Sequence, residues 1–257
     1  ADQLPLSQSA VWLAALAAGL WAVGAVMQGR LSILEVLLVE AAALATATAA
    51  AGMLDLHRVF KPLALLLALF FVAHRARPIG TAGRFDLILL GGLAFSLVGD
   101  CLLMFPGYFI PGLVAFLIAH LFYIALFRLG VAWFPSRRAL AATLAIGAVM
   151  YAFLFNGLNP TLRVAVGAYV VVIALMAAQA IGRATVLRSG AAIGVAVGAG
   201  FFMLSDALLA TNRFAFPLPL AQFWVLSTYY VAQILIARNA RPAAAVMAPP
   251  RFLAAAA

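Results

Sequence analysis

Runs of about 18–22 apolar residues succeed one another along this chain with only short polar breaks. Each is long enough to cross a bilayer core of roughly 30 Å as a helix. With 67% hydrophobic and 9% charged residues, the chain lies far outside the composition of a soluble globular domain. The expected fold class is all-α, a polytopic membrane helical bundle. Nine crossings are predicted, over 10–28, 33–53, 59–74, 85–105, 109–129, 138–157, 161–182, 190–210 and 219–238. The third is short, and its Lys61-Pro62 pair reads as a helix start, where proline is tolerated. Stretches such as GVAVGAG at 194–200 permit the close helix approach that packing in lipid depends on.

Charge orients the bundle. Sorted by alternate loops, the 16 Lys and Arg residues divide 12 to 4, which places the richer side, and the C-terminus with it, in the cytoplasm. The net charge of +9 is accounted for by these loops, and no nucleic-acid partner is expected. A single cysteine, Cys101, rules out an intramolecular disulfide and a Cys-based zinc cluster. No basic region precedes the first apolar run, so no cleavable signal peptide is expected. The organisation expected is an extra N-terminal transmembrane helix in 1–30, an eight-helix membrane domain over 31–240, and a disordered Ala/Pro-rich tail over 241–257.

Two acids lie inside apolar runs, Asp100 in GLAFSLVGDCLLMF and Asp206 in AGFFMLSDALLATNRF. A charge at membrane depth is costly, so each is a functional-site hypothesis. The segments around them also match. Aligning 95–124 with 201–230 gives seven identities in 30 positions, among them Asp100 with Asp206, Pro111 with Pro217 and Tyr123 with Tyr229. The offset of 106 residues is enough for four crossings, and a repeat after an even number of crossings is parallel. The core is therefore expected as two parallel four-helix halves, 33–129 and 138–238. Two acids at repeat-equivalent positions point to one shared site, against the plainer reading that each holds the bundle together through Ser96, Ser205 or tyrosine partners. Two carboxyls in unlike surroundings can divide acid and base roles between them.

Other polar residues admit two readings each. Gln222, Tyr229 and Gln233 fall within about 40° of one another on a helix; they are either a cavity wall or inter-helix glue. His120 and Tyr123 share a face with Phe116 and Phe127, and the three histidines form no His-x-x-x-His pair, so no metal and no other cofactor is expected. Lys61 is either an interfacial lysine or a cation for a phosphate headgroup or an aspartate. Glu35 and Glu40 lie about 140° apart on the second crossing, and Glu40 is a buried acid or a minor catalytic candidate.

KPL at 61–63, SLVGDCLLM at 96–104, FIPGLVAFLIAHLFYIALF at 109–127, FFMLSDALLA at 201–210 and TYYVAQILIA at 228–237 together resemble the YhhN family. The segment TLRVAVGAYVVVIALM at 161–176 is similar to the stretch that joins these motifs in the family. The resemblance covers about 33–238 and departs only in the 10–28 helix, since the family core has eight crossings. It implies an integral protein of a bacterial inner membrane. It also implies lysoplasmalogenase activity: hydrolysis of the vinyl-ether bond of a lysophospholipid to a fatty aldehyde and a glycerophosphoethanolamine or glycerophosphocholine. By the same resemblance Asp100 and Asp206 are the catalytic acids, while Lys61, His120, Tyr229, Tyr230 and Gln233 line the pocket.

Vinyl-ether hydrolysis needs an acid to protonate the alkene carbon, an anion beside the resulting oxocarbenium ion, and a base for water. Two aspartates meet that need, with their order left open. Tyr123, Tyr229, Tyr230 and Gln233 are expected at the substrate, and Lys61 or Arg213 at its phosphate. A lipid or small-molecule transporter would use similar midplane acids, and a lysolipid-binding protein would not depend on them. An ester-cleaving lysophospholipase is disfavoured, since no Gly-x-Ser-x-Gly occurs.

Overall fold

The computed structural model describes residues 31–76 and 81–241, with isolated positions 17, 20, 21, 24 and 28 before them. Eight α-helices lie among these residues: α1 (Ile33–Ala50), α2 (Leu54–Arg75), α3 (Thr81–Leu103), α4 (Phe109–Arg128), α5 (Arg137–Leu154), α6 (Pro160–Leu187), α7 (Gly190–Ala210) and α8 (Ala221–Asn239). A short 3₁₀ turn, Phe155–Gly157, and a π turn, Thr211–Ala215, complete them. The expected 10–28 crossing lies largely outside the described residues, as does the 241–257 tail beyond Arg241. Seven helices, α1 to α7, are long and apolar enough to cross a bilayer, and the chain is an integral membrane protein. The apolar character of α8 is diluted by Gln222, Tyr229, Tyr230 and Gln233, three of which it buries against its neighbours.

Local chemistry sets the helix starts. Ser32 and Glu35 form a reciprocal capping box on α1, with the Glu35 side chain accepting from the Ser32 amide at 2.8 Å. Ser136, Asn159 and Ser189 cap α5, α6 and α7 by accepting from amides three residues on. Each cap satisfies a donor that the first helical turn leaves unpaired. Pro160 follows Asn159 at the first position of α6, where its missing N–H costs nothing.

Two boundaries differ from the sequence expectation. The second helix begins at Leu54, not at Lys61-Pro62, so Pro62 sits inside it. Lys61 is therefore seven residues, about 10 Å, along the helix. The extra turns are held by His57, whose Nδ1 lies 2.9 Å from the Ala45 carbonyl of α1. The sixth helix runs to Leu187 and carries Arg183, expected in a loop, inside the protein. Its guanidinium donates to the carbonyls of Phe127 and Leu129, and so serves the orphan carbonyls at the end of α4.

Helix α1 packs on α2, α2 on α3 and α3 on α4; the order recurs as α5 on α6, α6 on α7 and α7 on α8. Across the halves, α4 meets α6 as α8 meets α2. The correspondence breaks at one place. Helix α1 also packs against α8, tied there by Glu35 and Arg238 at 3.2 Å, whereas α5 rests mainly on α6. The space this leaves beside α4 and α7 holds the site's cavity.

Candidate active site

Helices α3 and α7 carry Asp100 and Asp206 near their C-terminal ends. Three glycines let α3 approach α4 closely. A Cβ on Gly99 would stand 2.6 Å from the Phe116 ring, and Gly91 and Gly92 receive Phe122 and Tyr123 in the same way. These contacts place Phe116 and Tyr123 in the centre of the bundle.

Asp100 is the hub of a buried polar chain. Lys61 Nζ stands 3.2 Å from one carboxylate oxygen, with both side chains less than a tenth exposed. The Tyr229 hydroxyl donates to the other oxygen at 2.7 Å. Gln233 then donates to Tyr229 at 3.2 Å and accepts from Tyr123 at 2.8 Å. Tyr230 donates to the Lys61 backbone carbonyl at 3.4 Å. The sequence-predicted Asp100, Lys61, Tyr123, Tyr229, Tyr230 and Gln233 thus meet in one network from α2, α3, α4 and α8. Lys61 is the aspartate's cation, with its side chain buried.

Asp206 stands apart from that network. It accepts from the Tyr169 hydroxyl of α6 at 2.5 Å, and it makes no ion pair among the described residues. An aromatic layer separates the two acids. The fully buried Phe202 ring makes edge contacts with Phe116, His120, Tyr123 and Tyr229. His120 lies between the halves of the site, its ring 5.3 Å from Tyr169 and 6.4 Å from Tyr123. Both ring nitrogens are buried without a hydrogen-bond partner within the described residues, so the ring enters no direct bond to either acid. Ser96 and Ser205 turn to backbone carbonyls, of Gly92 and Val225, rather than to the acids beside them.

A cavity of about 830 Å³ opens between α4, α5, α6 and α7. Asp206 and Tyr169 lie in its wall; none of the Asp100 network does. Most of the remaining wall is aliphatic or aromatic, and Thr143, the other polar member, spends its hydroxyl on the Ala139 carbonyl. Ile146, Val149, Phe153 and Leu204 line the cavity and are also strongly exposed, so it opens sideways between α5 and α7. Phe109 and Phe214 are also part of the lining. The exposed Arg213 guanidinium lies 4.1 Å from the Phe109 ring centre and 5.8 Å from that of Phe214. Arg213 thus packs on two rings of the cavity lining and does not join the Asp100 network. Gln222 is exposed and does not join Tyr229 and Gln233. Glu40 keeps one buried carboxylate oxygen without a partner in the described residues.

Tyr169 is the site residue that sequence reading missed. The repeat gave no signal for it, since the 106-residue offset sets Lys61 against Gly167 and Tyr169 against Leu63; the likeness is one of helix position. In each half the aspartate on the third helix takes a partner from the second: Asp100 takes Lys61, and Asp206 takes Tyr169. In the described residues no three His, Cys, Asp or Glu side chains are grouped to hold a metal ion.

The YhhN family matches residues 56–240. The lysoplasmalogenase TMEM86A of Homo sapiens is 37% identical over 160 residues, covering 58% of this chain and 63% of that protein. The Bos taurus TMEM86A lysoplasmalogenase is 34% identical over 181 residues, 68% of this chain and 73% of that protein. The lysoplasmalogenase TMEM86B of Sus scrofa is 37% identical over 163 residues, 62% and 66% of the respective lengths. The chain thus spans somewhat less than two thirds of the human TMEM86A. No solved structure matches it.

Proposed function

This chain belongs to the YhhN family, and on that premise we propose that it hydrolyses the vinyl-ether bond of lysoplasmalogens. The observation that carries this reading is a single carboxyl, Asp206, held by Tyr169 in the wall of a largely apolar cavity, with an exposed arginine stacked on two of the lining rings. An apolar channel suits one long hydrocarbon chain; Arg213 suits a phosphate; a carboxyl with no cation beside it suits a proton donor. The relatives' names add the bond that is cleaved.

In this mechanism the alkenyl chain lies in the cavity with its C=C–O unit at Asp206. Asp206 gives its proton to the alkene carbon, and the C=C pair forms the new C–H bond. The resulting oxocarbenium ion is attacked by water, whose proton returns to the Asp206 carboxylate. The hemiacetal then breaks its C–O bond as C=O forms, its hydroxyl proton passing to the leaving oxygen, which releases aldehyde and the glycerophospho-alcohol. Tyr169 fixes the Asp206 carboxyl through one oxygen and leaves the other for the substrate. Asp100, behind the Phe116–Phe202 layer and paired with Lys61 at 3.2 Å, acts as a positioning residue. Its chain through Tyr229, Gln233 and Tyr123 holds the aromatic wall in place. Both acids contribute, but only Asp206 touches the substrate.

The site would face the outer side of a bacterial inner membrane, with the C-terminus in the cytoplasm. Arg75, Arg84, Arg128, Arg137 and Arg138 at the opposite end from Arg163 and Arg213 support that orientation.

Purified protein given a lysoplasmalogen and its matched ester lysolipid tests the reaction. The expected result is aldehyde from the vinyl ether and no fatty acid from the ester. Lipid movement across liposomes without turnover of either would replace the hydrolase with a transporter.

A further inference from the structure

The cavity opens where two helices stand side by side without substantial packing, since α5 rests mainly on α6. Ile146, Val149 and Phe153 follow one another at three and four residues along α5, a single stripe about 10 Å long. Each lines the cavity and each is also exposed, Val149 by 71%. Leu204 does the same from α7. A side chain that faces both the cavity and the surroundings marks the edge of an opening, and these four are all apolar. They lie within the membrane-crossing spans, so the surroundings they face are lipid.

The opening is braced at both ends of α5. The linker that leads into this helix is pinned to α6. The buried Gln179 side chain accepts from the Phe134 amide at 2.8 Å and donates to the Ala132 carbonyl at 3.1 Å. Gly182 lets Pro135 close on the same helix, where a Cβ would stand 2.8 Å from the proline ring. At the other end Tyr151 donates to the Arg163 carbonyl at 3.1 Å, and Gly157 lies too close to the Phe214 carbonyl for any Cβ to fit. Between these braces the exposed stripe looks across the gap towards α7.

We propose that this gap is a lateral portal, through which the single hydrocarbon chain of a lysolipid passes directly between the bilayer and the cavity. The inference rests on the reading of the cavity as the lysolipid site. The occupant follows from what lies on each side. Lipid chains stand outside, a largely apolar wall stands inside, and apolar edges join the two. A chain taking this route never crosses water, where each exposed methylene is costly.

The test introduces Val149→Cys and Leu204→Cys together in a Cys101→Ser background. The purified protein, immobilised in detergent, is bridged by a bifunctional maleimide whose span contains a disulfide. Exchange of a radiolabelled octadecyl ether lysolipid, which has no vinyl ether to cleave, is followed before bridging, after it, and after reduction. An intrachain bridge is expected to slow both uptake by empty protein and release from loaded protein at least about tenfold, and reduction to restore both. Exchange indifferent to the bridge places the route elsewhere and overturns the portal. So does a loss that reduction does not restore, which reports damage to the cavity. Bridges formed predominantly between chains overturn it too, because a second copy then covers the gap. If the bridge blocks exchange while unbridged protein releases no aldehyde from a lysoplasmalogen, the portal stands and the hydrolase reading fails. Aldehyde release untouched by the bridge keeps the hydrolase and removes the portal.

Discussion

The two buried acids differ in what stands beside them, and their substitution should separate accordingly. Asp100 and Lys61 form a buried pair at 3.2 Å, and removing one partner strands the other. Lys61→Met alone is expected to destabilise the protein by about 3–5 kcal/mol. Adding Asp100→Asn to it should recover part of that loss, measured by thermal unfolding in detergent; no recovery in the double variant would show that the pair is not coupled. Tyr169→Phe removes one hydrogen bond to a carboxyl at a position whose ring stays in place. It should lower kcat by roughly ten- to a hundred-fold, with melting temperature changed by far less than in Lys61→Met. The donor's contribution of about 1.5–3 kcal/mol for a bond to a charged group sets that scale. Asp100 and Asp206 were legible in the sequence because a charge in an apolar run stands out. Tyr169 was not, because a lone tyrosine among valines and alanines has the pattern of ordinary packing.

Helix identities and most boundaries were also legible from apolar length, to which the structure adds the caps Ser32, Ser136, Asn159 and Ser189. The start of α2 was misread because Pro62 is a stop or start signal in most contexts. Here the helix runs through it, anchored upstream by His57 on the Ala45 carbonyl. The end of α6 was misread because an arginine usually marks a loop, whereas Arg183 is satisfied by two carbonyls at the end of another helix. Replacing it with Met leaves those carbonyls without their donor in a buried place. A destabilisation of about 1–3 kcal/mol is expected, read by thermal unfolding, and hydrogen exchange should rise selectively in the last turn of α4. An effect spread evenly over the bundle would argue against a capping role. The glycines of α3 act at this same scale. Gly99→Ala forces a Cβ to within 2.6 Å of Phe116, and turnover should fall as that ring moves out of the site's wall.

Taken whole, the eight described helices fall into two runs of four with the same order of neighbour packing, and the two aspartates stand in different surroundings. In one half the aspartate is locked by lysine and tyrosine inside a packed core; in the other it faces a cavity. The asymmetry follows from α1, which closes against α8, and α5, which leaves its side open. The sequence repeat pointed to one shared site for the two acids, whereas Asp100 sits in a packed network and Asp206 in a cavity wall with partners of its own, since neighbour choice among helices of similar composition is decided by three-dimensional packing. The central claim is that Asp206, not Asp100, delivers the proton. The most direct measurement is single-turnover aldehyde release by wild type, Asp206→Asn and Asp100→Asn, each first shown to be folded and to bind the saturated ether lysolipid. Asp206→Asn is predicted to lose roughly a hundred- to ten-thousand-fold in rate with binding retained, and Asp100→Asn to keep a slower but measurable reaction. Turnover surviving in Asp206→Asn while Asp100→Asn is inert would contradict the account.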